Sequence, residues 1–339
     1  MKAALLYKTG QIKGVEAFKV ESVPAPKPGS IQVLIKVAAC GICGHDQANR
    51  LGLTRVGHMP WIDGHEVSGI VEDAGDLVTD FKKGDRVAIK QMKVCMKCEK
   101  CRTGRETHCE KRSFNHGGNA EFIVVDEDCA AKVPDNVGLA EAAVLACAAG
   151  TCLRALRLAD VRAGDNVLVT GAGGGLGIYG LQLAKALGAR AIALTSSAHK
   201  LEQLKDFGAD EVVLAKGEEY WKDILQVTGG KGADVVLDNV GAITFGPCFR
   251  GLAEFGRYMF TGQINRQKME AYPAFIFGKE CIIAGSTSTA KKEFLDCLKL
   301  AGEGKLKGAV GATGPLGDTG KLHDMMDNRQ VFGRAVITP

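Results

Sequence analysis

Residues Asn166 to Gly188 read NVLVTGAGGGLGIYGLQLAKALG. Asn166 to Thr170 is a short apolar run suited to a buried strand, Gly171 to Gly177 is a turn almost without side chains, and Ile178 to Leu187 has helical composition and stops at Gly188. Strand, glycine turn and helix in that order open a dinucleotide-binding fold. Glycines 174 and 177 let the backbone come close to a pyrophosphate, and the helix behind offers free N–H groups and the positive end of its dipole. The turn residues Gly171, Gly174, Gly175, Leu176 and Gly177 are therefore candidate coenzyme contacts. Ala172 stands where the usual fingerprint has its first glycine, giving Ala-x-Gly-x-x-Gly.

The sequence that follows extends the same pattern. Arg190 to Leu194 is a second strand ending in TSSAHK, a helix follows over Lys200 to Phe207, and GADEVV starts a third strand. Ala233 to Leu237, Gly256 to Thr261 and Cys281 to Gly285 supply three more. Six strands separated by helical segments imply an α/β fold with a doubly wound parallel sheet. The residues before it are β-rich instead. Phe18 to Val23 and Ile31 to Val37 alternate on either side of PAPKPGS, and Val71 to Val87 and GGNAEFIVV continue the pattern. Leu139 to Leu158 is helical, and the residues after Ser286 hold a helix, EFLDCLKLAGEG, and a strand-like VFGRAVIT.

At 339 residues, 46% apolar and 24% charged, the chain is long enough for two domains with separate cores. The net charge of +4 comes without any sustained Lys/Arg block, so the sequence calls for neither nucleic acid nor a membrane surface. Glu141, Arg154, Arg157 and Asp160 interrupt the longest apolar region, Leu139 to Val161, which argues against a membrane span. MKAALLYKTG turns polar too early for a signal peptide, and a cytoplasmic protein is expected. In a reducing compartment, clustered cysteines point to metal or catalysis rather than disulfides.

Twelve cysteines are present, and four of them carry the most specific motif in the chain. Cys95, Cys98, Cys101 and Cys109 are spaced C-x2-C-x2-C-x7-C on a loop of Lys, Arg, Glu and Thr with little apolar content of its own. Four thiolates at such spacing fill every position of a tetrahedral Zn²⁺ shell, which is the signature of a structural site. Two further segments, CGICGHD at Cys40 to Asp46 and GHE at Gly64 to Glu66, lie about twenty residues apart and bring more Cys, His and Asp.

Taken together, CGICGHD, GHE, the four-cysteine loop, LACAAGT and TGAGGGLG resemble, in identity and order, the zinc-containing medium-chain dehydrogenases/reductases, the superfamily of zinc alcohol dehydrogenases. The resemblance covers nearly the whole chain. It implies a GroES-like catalytic domain over 1–149 with its structural-zinc loop at 95–109, a Rossmann domain over 150–286, and a tail over 287–339 that returns to the catalytic domain. It also implies a catalytic zinc held by Cys43, His65 and Cys147 with a fourth position open. Glu66 occupies the position from which a carboxylate approaches the metal during ligand exchange, and Asp46 the position that orients the metal-binding histidine. Cys40 and Cys152 read as buried small hydrophobes. Where the family has Thr or Ser two residues after its first ligand this chain has His45, and the family's later relay histidine corresponds to about Ala48. His45 either carries the substrate proton by itself or fills space beside the metal. His58, His116 and His199 are unassigned.

Preference for NAD usually rests on an acid at the end of the second strand. That place reads Thr195-Ser196-Ser197 with Lys200 beyond, so hydroxyls and a cation favour the 2′-phosphate of NADP(H), with NAD(H) as the alternative. Arg334 resembles the family's basic contact to the coenzyme pyrophosphate, and Asp238-Asn239-Val240-Gly241 the loop beside nicotinamide, with Asn239 as a contact. The expected reaction is interconversion of a small-molecule alcohol with its aldehyde or ketone. The alternatives are reduction of an activated carbon–carbon double bond, as in the acryloyl-CoA and quinone reductases, or a nucleotide-binding sensor without turnover. Asn49 to Trp61, Phe114 to Gly118 and Gln263 to Phe277 are expected to line the substrate pocket, in a homodimer or homotetramer.

Overall fold

A computed structural model describes residues 1–54, 56–264 and 267–339. Arg55, Asn265 and Arg266, which fall within the expected pocket-lining stretches, lie outside the described residues. The chain forms two compact units, one of Met1–Gly150, Ser288–Gly304 and Gly308–Pro339, the other of Thr151–Thr287 with Lys305–Lys307.

The first unit holds strands β1 (Lys2–Leu6), β2 (Phe18–Ser22), β3 (Gln32–Gly41), β4 (Trp61–Ile62), β5 (Glu66–Ala74), β6 (Arg86–Ile89), β7 (Met92–Lys93), β8 (Ser113–Phe114), β9 (Phe122–Asp126) and β10 (Ala130–Lys132). Later in the chain, β17 (Val310–Gly314) and β18 (Arg334–Ile337) join them. The main sheet runs β10-β6-β5-β3-β18-β17, with β9 also paired to β3. Strand β3 is its axis. Its alternation turns Val33, Ile35 and Val37 into a core with Val67, Val87, Ile123 and Ile337. The strand expected to stop at Val37 continues to Gly41, where Cys40 and Gly41 pair with β18 on one side and β5 on the other and Ala39 to Gly41 are all buried. Strand β1 was not expected, since alanine has little strand preference. Pairing with β2 and β4 holds it, and Ala3, Ala4 and Leu6 are fully buried.

The second unit holds β11 (Asn166–Thr170), β12 (Arg190–Thr195), β13 (Glu211–Leu214), β14 (Ala233–Asp238), β15 (Leu252–Phe260) and β16 (Ile282–Gly285), in spatial order β13-β12-β11-β14-β15-β16 and all parallel. This is a doubly wound sheet whose order reverses between β11 and β14, the place where such sheets open a crevice at their carboxyl ends. The helix after the glycine turn spans Gly175–Ala186, three residues earlier than its composition suggests. A Cβ on Gly177 would lie 2.3 Å from the Gly171 carbonyl oxygen, and one on Gly180 would lie 2.8 Å from Leu237. These glycines are thus required where the helix closes on its own turn and on the sheet. Gly174, with only the Gly171 oxygen at 3.3 Å, keeps its open side.

Leu139–Leu158 forms a helical run, long and apolar enough to cross a membrane by length and composition alone. Its most apolar stretch is 78% buried inside the protein, as expected of a core helix. The run is interrupted by a π turn at Leu145–Ala149.

Candidate functional site

The helix Gly44–Arg50 starts with a capping arrangement that also builds a site. Cys43 is its N-cap; the Cys43 N–H donates to the Asp46 carboxylate at 2.8 Å, and the His45 N–H donates to the Cys43 sulfur at 3.4 Å. The other Asp46 oxygen lies 2.9 Å from Nδ1 of His65, which immediately precedes β5. One carboxylate therefore holds both the helix start and the imidazole. The π turn presents Cys147, whose sulfur is 3.7 Å from that of Cys43. Single donor atoms of Cys43, His65, Glu66 and Cys147 all lie within 4.8 Å of one another.

This geometry fits a metal ion. Two thiolates on a tetrahedral Zn²⁺ are separated by about 3.8 Å, given Zn–S bonds of about 2.3 Å. Among the described residues, Nε2 of His65 and Oε2 of Glu66 are buried without a hydrogen-bond partner, an arrangement that costs free energy unless a further group is bound there. Gly41 leaves room for this, since a Cβ there would meet Oε2 of Glu66 at 2.4 Å. The remaining Glu66 oxygen accepts from Nη2 of Arg334 at 2.7 Å, with both residues buried. Arg334 thus reaches into this cluster. Burial pushes the Glu66 carboxyl up to about 7, against the pull of Arg334. The proton shared with Cys147 holds the Cys43 thiol well below the usual thiol range and drives Cys147 well above it.

Beside the cluster lies a group of rings. His45 stacks on Phe114 with centroids 4.5 Å apart and meets His65 edge-on at 5.6 Å. Burial, followed by the neighbouring His65, lowers its pKa, which keeps the imidazole neutral. His116 completes the group, 5.8 Å from His45 and 5.4 Å from Trp61, with Nδ1 3.0 Å from the buried Asp63. The pair Asp63 and His116 went unread in the sequence, because nothing in either residue's neighbourhood announces the other. Both Asp63 oxygens also accept from the side-chain amide of Asn49, which is buried and so supports the cluster's surroundings instead of lining a pocket. Cys40 is fully buried against Gly64 and Gly118, and Cys152 is fully buried.

In the loop of the first unit, the sulfurs of Cys98 and Cys101 are 3.5 Å apart, those of Cys98 and Cys109 3.9 Å, and those of Cys95 and Cys101 4.0 Å. These are edges of a tetrahedron and far longer than a disulfide. The sulfurs accept backbone N–H groups of Cys95, Cys98 and Lys111, as thiolates do. The four residues can hold one metal with no position left open.

At the carboxyl end of the second unit's sheet, Asp238 is a buried hub. Its carboxylate accepts from Thr170 Oγ1 at 2.6 Å, Tyr258 OH at 2.6 Å, Thr244 Oγ1, and the N–H groups of Val240 and Gly241. Asn239 binds back to the Thr170 carbonyl and accepts from Thr261. The loop after β14 is thereby fixed against the end of β11, at the reversal point of the sheet. At the end of β12, Ser196 is exposed and the Ser197 N–H donates to Thr195 Oγ1. Lys200 is buried, with Nζ 3.5 Å from the Gly173 carbonyl oxygen, so it stands under the glycine turn.

Residues 29–135 match the model of the alcohol dehydrogenase GroES-like domain, and residues 175–303 match that of the zinc-binding dehydrogenase. An NAD-dependent alcohol dehydrogenase of Sulfurisphaera tokodaii is 33% identical over 335 residues, covering 95% of this chain and 96% of that protein. An acryloyl-coenzyme A reductase of the same organism is 32% identical over 330 residues, covering 96% and 97%. Among solved structures, that of AibC superposes with a TM-score of 0.92 at 37% identity, covering 100% of this chain and 96% of the other.

Proposed function

Since the chain belongs to the zinc-containing medium-chain dehydrogenase/reductase family, we propose that it is a zinc-dependent alcohol dehydrogenase, exchanging hydride between an alcohol or carbonyl substrate and a nicotinamide coenzyme. The observation that carries this reading is the donor set of Cys43, His65 and Cys147, with the His65 nitrogen buried and unpartnered. Zinc held there supplies a Lewis acid for the substrate oxygen, and the coenzyme supplies or accepts the hydride.

The chain's own residues do the rest. Asp46 fixes Nδ1 of His65, so that Nε2 faces the cluster as a lone-pair donor. Glu66, neutralised on one oxygen by Arg334, keeps the other at the cluster as a reserve ligand. His45, kept neutral by burial, accepts the hydroxyl proton of the alcohol in oxidation and returns it in reduction. Asp238 and Asn239 hold the loop that faces the nicotinamide. The coenzyme is NADP(H): Ser196 and Ser197 offer hydroxyls where an NAD-binding protein has an acid, and Lys200 adds a positive charge beneath the turn. A kcat/KM for NADPH above that for NADH is expected, and the reverse overturns this choice.

The working form is a cytoplasmic homodimer or homotetramer. Twelve cysteines free of disulfides suit a reducing compartment. Among the described residues the edge strand β16 pairs only with β15; its own Ile282 and the preceding Phe275 and Phe277 are exposed, a surface that a second copy would cover.

A second reading is favoured by the acryloyl-coenzyme A reductase relative, namely NADPH-dependent reduction of an activated carbon–carbon double bond. The deciding experiment supplies an α,β-unsaturated aldehyde with NADPH. Allylic alcohol as product, lost in Cys43→Ala, supports the alcohol dehydrogenase. A saturated carbonyl product that persists in Cys43→Ala overturns it in favour of the second reading.

A further inference from the structure

Cys147 sits on a π turn, a local widening of the helix that leaves carbonyl groups without their usual intrahelical donors. Within this turn the Ala146 carbonyl accepts from Thr289 Oγ1 at 2.6 Å in a fully buried contact. Thr289 also fills the space beside Gly150, where a Cβ would approach its methyl carbon to 2.3 Å. Two residues on, the helix Lys291–Gly302 begins with no side-chain cap from its own N-cap residue, Ala290. Its first N–H donates instead to Oε1 of Glu106 at 2.7 Å. Glu106 stands inside the four-cysteine loop, between Cys101 and Cys109, and the same oxygen accepts from the buried Lys90 at 2.8 Å.

These contacts form one connected path. The four-cysteine loop places Glu106, Glu106 holds the start of the helix, and Thr289 just ahead of it donates to the turn that carries Cys147. We propose that Thr289 and Glu106 are positioning residues for the metal cluster of Cys43, His65 and Cys147, and that the four-cysteine loop thereby sets that cluster's affinity for its ion. This rests on the reading of Cys147 as a ligand. A metal in the loop favours the arrangement that binds the second metal, and by linkage the coupling runs equally in both directions.

Cobalt(II) tests it, because its thiolate absorption reports each cluster separately by the number of sulfurs bound. The metal-free full chain is titrated with Co²⁺ in competition with a chelator, as wild type, Thr289→Val, Thr289→Ser and Glu106→Gln. In the wild type two equivalents bind, one with a four-thiolate spectrum and one with a two-thiolate spectrum. Thr289→Val, which keeps shape and loses the hydroxyl, weakens the two-thiolate site by roughly 10–100-fold, as loss of a group supporting a ligand does. The four-thiolate spectrum is unchanged and Thr289→Ser restores the affinity. Glu106→Gln weakens the two-thiolate site in the same direction with its own loop still metallated. Wild-type affinity at the two-thiolate site in either Thr289→Val or Glu106→Gln overturns the proposal. So does a serine variant as weak as the valine one, which would make the effect one of packing. Absence of any two-thiolate cobalt in the wild type would instead overturn the ligand reading beneath it.

Discussion

Asp46 shows how much a single side chain carries here, because the same carboxylate caps a helix and orients His65. Asp46→Ala is expected to weaken metal binding at the Cys43 cluster by roughly 10–100-fold while the four-cysteine loop keeps its metal, which metal analysis after dialysis against a chelator would check. His45 offers a cleaner separation of chemistry from binding. His45→Phe preserves a ring against Phe114 and should leave the zinc content intact, yet lower alcohol oxidation by roughly 10²–10⁴-fold, the usual worth of a general base. Rates equal to wild type would assign His45 to packing. At this scale the sequence was most informative where donors are local or belong to ordered motifs: Cys43 with Asp46, His65 with Glu66, and the four cysteines. It was silent about Asp63 with His116 and about Thr289 with Ala146, which meet only because the sheet and the helices bring them together.

Elements depend on these residues in turn. The four-cysteine loop has few apolar side chains to bury, so its shape is expected to depend on an ion bound by its cysteines and on Glu106. Cys101→Ser should therefore release about one zinc per chain and lower the melting temperature; retention of both metals at an unchanged melting temperature would count against a structural ion. The glycine turn obeys steric rules instead. In Gly177→Ala the new methyl would overlap the Gly171 oxygen and the Ala172 backbone, and a loss of about 1–3 kcal/mol in denaturant unfolding is expected. The inner strands β11, β12 and β14 were legible because parallel strands buried on both faces read as continuous apolar runs. Strand β17, VGATG, and the helix Thr319–Asp327 were not. The first is broken by Gly311 and ends on Gly314, and the second buries only Thr319, Gly320, Leu322 and His323, too few to leave a strong periodic signal.

For the molecule as a whole, pH is the variable that tests the account of burial. His323 is fully buried, its ring tilted against Phe18 at 4.8 Å, with neither ring nitrogen hydrogen-bonded among the described residues. Burial lowers its pKa to about 4; Arg50 pushes in the same direction, and Asp63 and Asp324 oppose it. The unfolded chain takes up this proton near 6.5, before the folded one can. Its contribution to stability is thus complete above about pH 6.5 and is lost as the pH falls from there to about 4, by about 3 kcal/mol in all. Unfolding free energies measured at pH 7.5 and 5.0 should differ less in His323→Gln than in wild type, and an equal difference would refute this. A separate consequence follows from the path of the chain through its two units. The second unit's sheet is built from one uninterrupted stretch, Thr151–Thr287, whereas the first needs β18 beside β3, and Glu66 meets its counter-charge Arg334 only 268 residues further along. On the ribosome, where domains fold as they emerge, the nucleotide-binding half can therefore be finished while the metal-binding half still waits with a buried carboxylate uncompensated. Maturation would run opposite to the order of the sequence, with the Cys43 cluster and any ion it takes among the last parts to be completed.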